Sequence, residues 1–192
     1  MISIFAQAEK HLEKTAIISD GVEYTYTQLL DASKAFAYTL LDGKNDLQEA
    51  RVAYMVNPGF DYVRVQWGIW QAGGVAVPLC LTYPLPSLRY TIENSGSSIV
   101  VVSPEFEDLL KPLCEELGLR LLLTSDSRLA TSDSPLPTFD DSRRAMMLYT
   151  SGTTNLPKGV VSTHANLNAQ ISTLIDAWRW SSADYSICIL PL

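Results

Sequence analysis

The sequence predicts an α/β protein with a mostly parallel sheet and helices on both of its faces. Short runs rich in Val, Ile and Leu alternate with stretches of helical periodicity, and turn residues separate the two. The apolar runs are nearly continuous, as in strands that are covered on both faces, and parallel strands need helical connections. With 47% hydrophobic and 18% charged residues among 192, the composition supports a packed core. It excludes a disordered chain, a collagen-like repeat and a coiled coil.

The first strand–helix–strand pattern lies between residues 51 and 79. Arg51–Val56 predicts a strand, and Asn57 followed by Pro58 is a helix-start signal. The apolar positions of the predicted helix recur at helical spacing: Phe60, Val63, Trp67 and Trp70. Gly73 and Gly74 end this helix, and Val75–Leu79 predicts the next strand.

The same alternation continues to residue 123. A short helix is predicted to begin at Pro84 or Pro86 and to end near Gly96. Ser103-Pro104 predicts the start of a second helix, in which Pro112 is expected to introduce a kink or a split. Two further strands are predicted from apolar runs: Ser98–Val102 and Leu119–Leu123.

Residues 124–142 interrupt the pattern. They are rich in Ser, Thr, Asp and Pro and lack periodicity, so they predict an exposed, flexible connection. Strands are then predicted at Ala145–Thr150 and Gly159–Ser162, followed by a helix that extends to Trp178. Tyr185–Leu190 predicts a buried strand with no helix after it. The chain is therefore expected to be truncated.

Charge and cysteine content limit the partners and the location. The 14 basic and 21 acidic residues give a net charge of −7, which argues against binding to long nucleic acids or to an anionic membrane surface. No membrane span or secretory signal is predicted. The cysteines, Cys80, Cys114 and Cys188, are far apart, which favours reduced thiols and a cytoplasmic location. With His11 and His164 as the only histidines, no metal site is expected.

One polar segment, Tyr149–Gly159, combines the groups that a phosphate-binding loop needs. Its hydroxyl groups can donate hydrogen bonds to phosphate oxygens or hold Mg²⁺, and they belong to Thr150, Ser151, Thr153 and Thr154. Gly152 allows the backbone N–H groups to turn toward an anion, and Lys158 supplies a positive charge. Read without its surroundings, the same segment is an ordinary solvated turn.

The spacing from Gly152 to Lys158 equals that of a Walker A loop, but the remaining positions differ. Pro157 stands where the second glycine belongs, and Gly159 stands where a Mg²⁺-binding Ser or Thr belongs. A strand is also predicted after Lys158, where a Walker A loop has a helix. These differences exclude a P-loop NTPase.

The segment instead resembles the phosphate-binding loop of the adenylate-forming superfamily, which includes acyl-CoA synthetases, luciferases and the adenylation domains of peptide synthetases. The pattern [YF]-T-S-G-[ST]-T-G-x-P-K-G matches at every defined position except Asn155, which replaces a glycine. Asn tolerates a left-handed backbone better than other non-glycine residues. The stretches 68–79, 161–167 and 189–192 also resemble the family, and residues 77–84 are most similar to malonyl-CoA synthetase-like enzymes.

The resemblance implies the N-terminal portion of an ATP-dependent acid–thiol ligase. Such an enzyme activates a carboxylate with ATP and Mg²⁺ to an acyl-adenylate and then transfers the acyl group to coenzyme A. The nucleotide-binding positions implied within this chain are Thr150, Ser151, Gly152, Thr153, Thr154, Asn155, Pro157, Lys158 and Gly159. No catalytic residue or metal ligand is assigned, because the family's catalytic lysine and Mg²⁺-binding acid lie beyond Leu192. The chain alone is expected to be inactive.

A second hypothesis stays open, namely a non-catalytic nucleotide-binding or interaction fragment. In either case, self-association is expected through apolar surface left uncovered by an incomplete sheet.

His164 is interpreted as a helix-start residue that packs near the loop, against the alternative of a general base. Arg143 and Arg144 are interpreted as a solvated flank of the connection, against the alternative of steering anions. The tryptophans, Trp67, Trp70, Trp178 and Trp180, are predicted to lie in the core.

Overall fold

The computed structural model describes residues 3–126, 135–150 and 156–188. Within these ranges the chain forms eight strands: β1 Thr15–Ser19, β2 Val22–Thr25, β3 Arg51–Met55, β4 Val75–Pro78, β5 Ser97–Val102, β6 Arg120–Leu123, β7 Arg144–Thr150 and β8 Lys158–Thr163. The same ranges form six α-helices: α1 Ile4–Ala8, α2 Tyr26–Leu41, α3 Phe60–Gln71, α4 Leu85–Ser95, α5 Glu107–Leu117 and α6 His164–Trp178.

Six of the strands form one sheet in the order β6-β5-β3-β4-β7-β8. The neighbours are parallel from β6 to β7, whereas β7 and β8 pair as an antiparallel hairpin. Strands β1 and β2 form a separate antiparallel pair. The predicted mostly parallel sheet is confirmed, with an antiparallel hairpin at one edge.

Strand β3 shows why helices are needed on both faces of the sheet. Successive side chains of a strand point to opposite faces. Val52 and Tyr54 belong to one core, which includes residues of α2 and α3, whereas Ala53 and Met55 belong to a second core built with α4 and α5. All four side chains are fully buried. The continuous apolar run at residues 51–56 therefore serves two cores, as the sequence predicts.

The N-terminal quarter of the chain contains elements that the sequence analysis did not predict. Helix α2 begins with a capping box, in which the Thr25 hydroxyl accepts from the Gln28 N–H and the Gln28 side chain accepts from the Thr25 N–H. Helix α2 then packs closely on α3. A β-carbon at Gly68 would lie 3.0 Å from both the Ser33 carbonyl oxygen and the Phe36 ring. The Thr-x-x-Gln spacing was the signal available for this helix.

Several predictions about individual segments are wrong. Residues 185–188 form no strand, and Tyr185 and Ile187 are 76% and 85% exposed, because they line a cavity beside β1 instead of pairing with a strand of the sheet; residues 189–190 lie outside the described ranges. Trp178 and Trp180 are 60% and 43% exposed rather than buried, and they contact each other edge-to-face with centroids 5.0 Å apart. Trp67 and Trp70 are buried, as predicted.

Two smaller differences concern α5 and the connection after β6. Helix α5 is continuous through Pro112 and is not split there. Proline removes one backbone hydrogen bond, but Leu110 and Leu113 on either side of it are buried in the core, and this packing holds the helix together. The flexibility of residues 124–142 stays a prediction, and 127–134 lie outside the described ranges. Thr124 and Pro137, near its two ends, are buried rather than exposed.

Candidate functional site

The predicted phosphate-binding segment connects the two strands of the β7–β8 hairpin. Thr150 is the last residue of β7, Lys158 is the first residue of β8, and the two are paired directly opposite each other. Both are exposed. Ser151, Gly152, Thr153, Thr154 and Asn155 lie outside the described residues. The structure therefore brings the Thr150 hydroxyl and the Lys158 ammonium group to the same end of one hairpin.

The element after Lys158 is a strand, which confirms the sequence argument against a Walker A loop. In a Walker A loop the lysine precedes a helix whose N-terminus faces the phosphates. Here β8 continues from Lys158 to Thr163, and α6 begins only at His164. Positive charge at this site therefore comes from the lysine side chain, without a helix N-terminus directly after it.

The hairpin places this segment at the carboxyl edge of the parallel sheet. Strand β7 runs parallel to β4, with Met146 beside Ala76, so the segment after Thr150 leaves the sheet where the parallel strands end. In open α/β sheets, ligands bind outside the carboxyl ends of the strands. The position of the candidate site agrees with this rule.

Gly159 lies so close to neighbouring side chains that there is little room for a β-carbon. It lies directly opposite Tyr149 in the hairpin. A β-carbon at Gly159 would lie 3.1 Å from Cζ of the Tyr149 ring and 3.1 Å from Sδ of Met147, closer than ordinary van der Waals contact. The Tyr149 ring thus covers the glycine, and this contact explains a glycine at position 159. Its assignment to nucleotide binding stays a prediction.

Helix α4 contacts both ends of the candidate segment. The Tyr90 hydroxyl donates to the carbonyl oxygen of Pro157 at 3.1 Å, and the Tyr149 hydroxyl donates to Oδ1 of Asn94 at 2.8 Å. Burial raises the pKa of Tyr149, so its phenol remains protonated and able to donate. Sequence reasoning missed Tyr90 and Asn94. Neither belongs to a recognisable local motif, and both come close to the hairpin only through the fold.

His164 is buried where β8 meets α6, which confirms the predicted packing role, but it lies at the end of the hairpin opposite the candidate loop and not near it. It is 1% exposed, and its backbone N–H donates to the Arg143 carbonyl oxygen at 2.9 Å. Its ring lies 5.2 Å from the Phe139 ring and 6.5 Å from the Trp70 ring, centroid to centroid. Nδ1 has no hydrogen-bond partner among the described residues. Burial lowers the pKa of His164 to about 4, so the imidazole is neutral near pH 7 and packs as an aromatic group.

Arg143 and Arg144 are anchors of β7, which corrects their interpretation as a solvated flank. Arg143 Nη1 lies 2.8 Å from Oδ2 of Asp46, and Arg144 Nη2 lies 2.7 Å from Oε2 of Glu49. The Arg144 backbone N–H also donates to Glu49 at 2.7 Å. These hydrogen bonds lower the pKa of the Glu49 carboxyl. Because both guanidinium groups are neutralised, neither is available to steer anions.

The described residues outside the hairpin provide neither a reactive thiol at Cys114 nor a metal-binding cluster. Burial raises the pKa of the Cys114 thiol to about 11, which keeps it protonated and unreactive. Among residues 3–126, 135–150 and 156–188, no three His, Cys, Asp or Glu side chains cluster closely enough to hold a metal ion. None of the helices in these ranges is long and apolar enough to cross a membrane.

Comparisons with known proteins place these features in one family. The model of the AMP-binding enzyme family matches residues 4–192. The malonate–CoA ligase ACSF3 of Mus musculus, named as mitochondrial, is 38% identical over 201 residues; the match covers all of this chain and 34% of the relative. The malonate–CoA ligase of Arabidopsis thaliana is 31% identical, with 98% of this chain and 35% of the relative covered.

Solved structures show the same architecture. Apo MatB from Rhodopseudomonas palustris superposes with a TM-score of 0.79 at 27% identity, over 93% of this chain and 38% of that one. The chain spans about a third of the length of the curated relatives it matches. The matched family, the α/β architecture and the loop sequence agree: this chain belongs to the AMP-binding enzyme family.

Proposed function

We propose that this chain is the nucleotide-phosphate-binding part of an acyl-CoA synthetase, with malonate as the first candidate acid. The observation that carries the proposal is the hairpin, which holds Thr150 and Lys158 opposite each other at the carboxyl edge of the sheet. The similarity to malonate–CoA ligases of two kingdoms supports both the reaction class and the choice of acid.

In the proposed reaction, a carboxylate oxygen attacks the α-phosphorus of ATP and pyrophosphate leaves, which forms an acyl-adenylate. The thiol sulfur of coenzyme A then attacks the acyl carbonyl, and AMP leaves as a thioester forms. Charge develops on the departing pyrophosphate in the first step. Lys158 and the hydroxyl of Thr150 would stabilise that charge, and Mg²⁺ would share it. Charge stabilisation of this kind needs no covalent bond to the protein.

The test is carboxylate-dependent exchange of pyrophosphate into ATP by the whole protein that carries this chain. With malonate present, exchange is expected, and Lys158→Ala should reduce its rate by about 10²- to 10³-fold because a charge stabiliser is lost. Lys111→Ala is the matched control: Lys111 is a surface lysine of α5 that pairs with Glu107, away from the hairpin. Absence of exchange with every carboxylate in a screen would overturn the proposal.

The second candidate is a non-catalytic nucleotide-binding or interaction fragment. The glycine-to-asparagine difference at Asn155 favours it. Calorimetry separates the two functions: this alternative requires ATP binding by the whole protein without exchange or thioester formation. For the 192-residue chain alone, we expect no turnover.

We also infer that the isolated chain self-associates. A set of large apolar side chains near the hairpin and the end of α6 is more than 40% exposed: Leu148, Val160, Val161, Ile175, Trp178 and Trp180. Strand β8 also forms an edge of the sheet. Exposed strand edges with apolar side chains favour pairing with another chain. Light scattering over a range of concentrations should show a rising mass, and a constant monomer mass would contradict this inference.

A cytoplasmic location is part of the proposal. Cys80 and Cys114 form no disulfide among the described residues, which suits a reducing compartment. The ACSF3 relative of Mus musculus is named as mitochondrial, so organelle fractionation of cells that express the whole protein is the measurement that decides. Co-sedimentation with mitochondria would overturn the cytoplasmic assignment.

A further inference from the structure

Helix α4 and the β7–β8 hairpin meet through two hydrogen bonds that act at the two ends of the candidate loop. Tyr90 donates to the carbonyl oxygen of Pro157, the residue directly before Lys158. Asn94 accepts from the hydroxyl of Tyr149, the residue directly before Thr150. Tyr90 and Asn94 are four residues apart, so they lie on the same side of α4. One helix surface therefore contacts both strands where they leave the sheet.

The two tyrosine rings complete this contact. Tyr90 and Tyr149 lie edge-to-face, with ring centroids 6.5 Å apart and planes at 86°. The Tyr149 ring also covers Gly159 on the opposite strand, so it contacts β8 as well as α4. The Tyr149 ring packs on Gly159, and its hydroxyl donates to Asn94. These two contacts fix the position of the hairpin end.

Helix α4 is itself firmly held. Leu88 and Ile92 are 0% and 1% exposed in the second core. On its outer side, Arg89 forms ion pairs with Glu93 and with Glu116 of α5. A helix anchored by buried leucine and isoleucine side chains is a rigid support, so its hydrogen bonds can fix the hairpin.

On its other side, the hairpin end is open. Leu148 and Val160, which are paired directly opposite each other, are 45% and 52% exposed. Among the described residues, Tyr149 and Pro157 form side-chain hydrogen bonds with Asn94 and Tyr90 of α4. The direction in which Lys158 leaves the sheet therefore depends on α4 more than on any neighbour packed over the opposite face.

We propose that Tyr90 and Asn94 are positioning residues that set the placement of Lys158 and Thr150 for the phosphates of ATP. This inference rests on the proposed function. Neither residue contacts nucleotide in this role; each acts through a backbone or ring of the hairpin. A displacement of about 1 Å in a group that stabilises charge can reduce turnover by about 10²-fold, so such supports have measurable effects.

The experiment measures KM for ATP, KM for malonate and kcat in the pyrophosphate-exchange reaction of the whole protein. Tyr90→Phe and Asn94→Ala should each lower kcat/KM for ATP by about 10-fold, the equivalent of one hydrogen bond, with KM for malonate unchanged. Asn94→Asp should restore most of the loss, because aspartate keeps an oxygen that accepts from Tyr149. The double variant should lose less than the product of the single losses, since both act on one hairpin.

Arg89→Gln is the matched control for a merely structural role. It removes the ion pair with Glu116 of α5 and the ion pair with Glu93 within α4, but it leaves both hydrogen bonds to the hairpin. It should lower the melting temperature without changing kcat/KM for ATP. The inference is overturned if Arg89→Gln and Tyr90→Phe reduce kcat/KM equally, or if Tyr90→Phe and Asn94→Ala have no effect on an active enzyme. A wild-type protein without exchange activity refutes the proposed function itself, so the two failures are distinguishable.

Discussion

Replacement of His164 by glutamine tests whether a buried neutral imidazole controls the acid stability of this fold. His164 is 1% exposed between Phe139 and Trp70, and within the part of the chain that the structure describes its Nδ1 has no hydrogen-bond partner. Protonation would therefore create a charge that is shielded from water. Burial is the main cause of its low pKa; Asp141 and Glu49 act in the opposite direction, and Arg143 adds to the lowering.

The sign and size of the effect follow from the two pKa values. The folded-state value is about 4, against 6.5 for an unperturbed histidine. Above pH 6.5 both states are neutral, and the folded state keeps its full stability. As the pH falls from 6.5 toward 4, the unfolded chain binds a proton that the folded chain does not, so stability decreases. Between pH 7.5 and pH 4.5 this loss amounts to about 2.5 kcal/mol, at 1.36 kcal/mol per pKa unit.

The assay is urea unfolding of wild type and His164→Gln at pH 7.5 and pH 4.5, followed by tryptophan fluorescence. Trp67 and Trp70 are buried, so their emission reports unfolding. Carboxylates contribute the same pH dependence to both proteins and cancel in the comparison. The wild type should lose about 2.5 kcal/mol more than the variant over this range. Equal losses in the two proteins would refute the argument from burial.

Three further substitutions test other contacts. Gly159→Ala should lower the free energy of unfolding by about 1–3 kcal/mol, because the new methyl group overlaps Met147; an unchanged thermal melt would contradict this. Thr163→Ala removes the capping box of α6 and should cost about 1 kcal/mol by the same measurement. Glu49→Gln weakens the pairing with Arg144 and should cost about 1 kcal/mol at pH 7. Since the Glu49 pKa is lowered, this difference should vanish as the pH falls below 4.5; a constant difference would count against it.

The central sheet was predictable because its strands are covered on both faces. Residues 51–56, 75–79 and 98–102 are continuous apolar runs, and in the structure they are the buried strands β3, β4 and β5. Burial on both faces leaves an unambiguous signal in the sequence. The two-stranded sheet of β1 and β2 was missed because its strands are short and half-exposed.

The exposed aromatic residues at positions 178, 180 and 185 show where prediction from sequence failed. Trp178, Trp180 and Tyr185 have large aromatic side chains of the kind found in cores, but residue type shows only that a side chain favours burial. Burial also requires enough neighbouring groups to exclude water, and the contact between Trp178 and Trp180 leaves both rings more than 40% exposed. Here sequence-based prediction failed because tertiary packing, not local pattern, decides exposure.

The sequence motif of the candidate site was predictable, whereas the residues that contact and position the hairpin were not. Thr150 and Lys158 were identified from a short local pattern. Tyr90 and Asn94 contact the hairpin across 67 and 55 positions of sequence, and Glu49 contacts Arg144 across 95. Contacts at such separations depend on the order of strands in the sheet, which local periodicity does not report.

These long separations also bear on the order in which the molecule assembles. Strands β3 to β6 and their helices form from neighbouring parts of the chain, whereas the hairpin and α6 are tied to partners far upstream, including Ser3, whose N–H donates to Asn168 at 2.8 Å. Closing long loops is slow, so distant pairings form late during folding. The β7–β8 hairpin and α6 are therefore expected to form last during folding, and a chain without Ser3 would lack the hydrogen bond that links the N-terminus to α6.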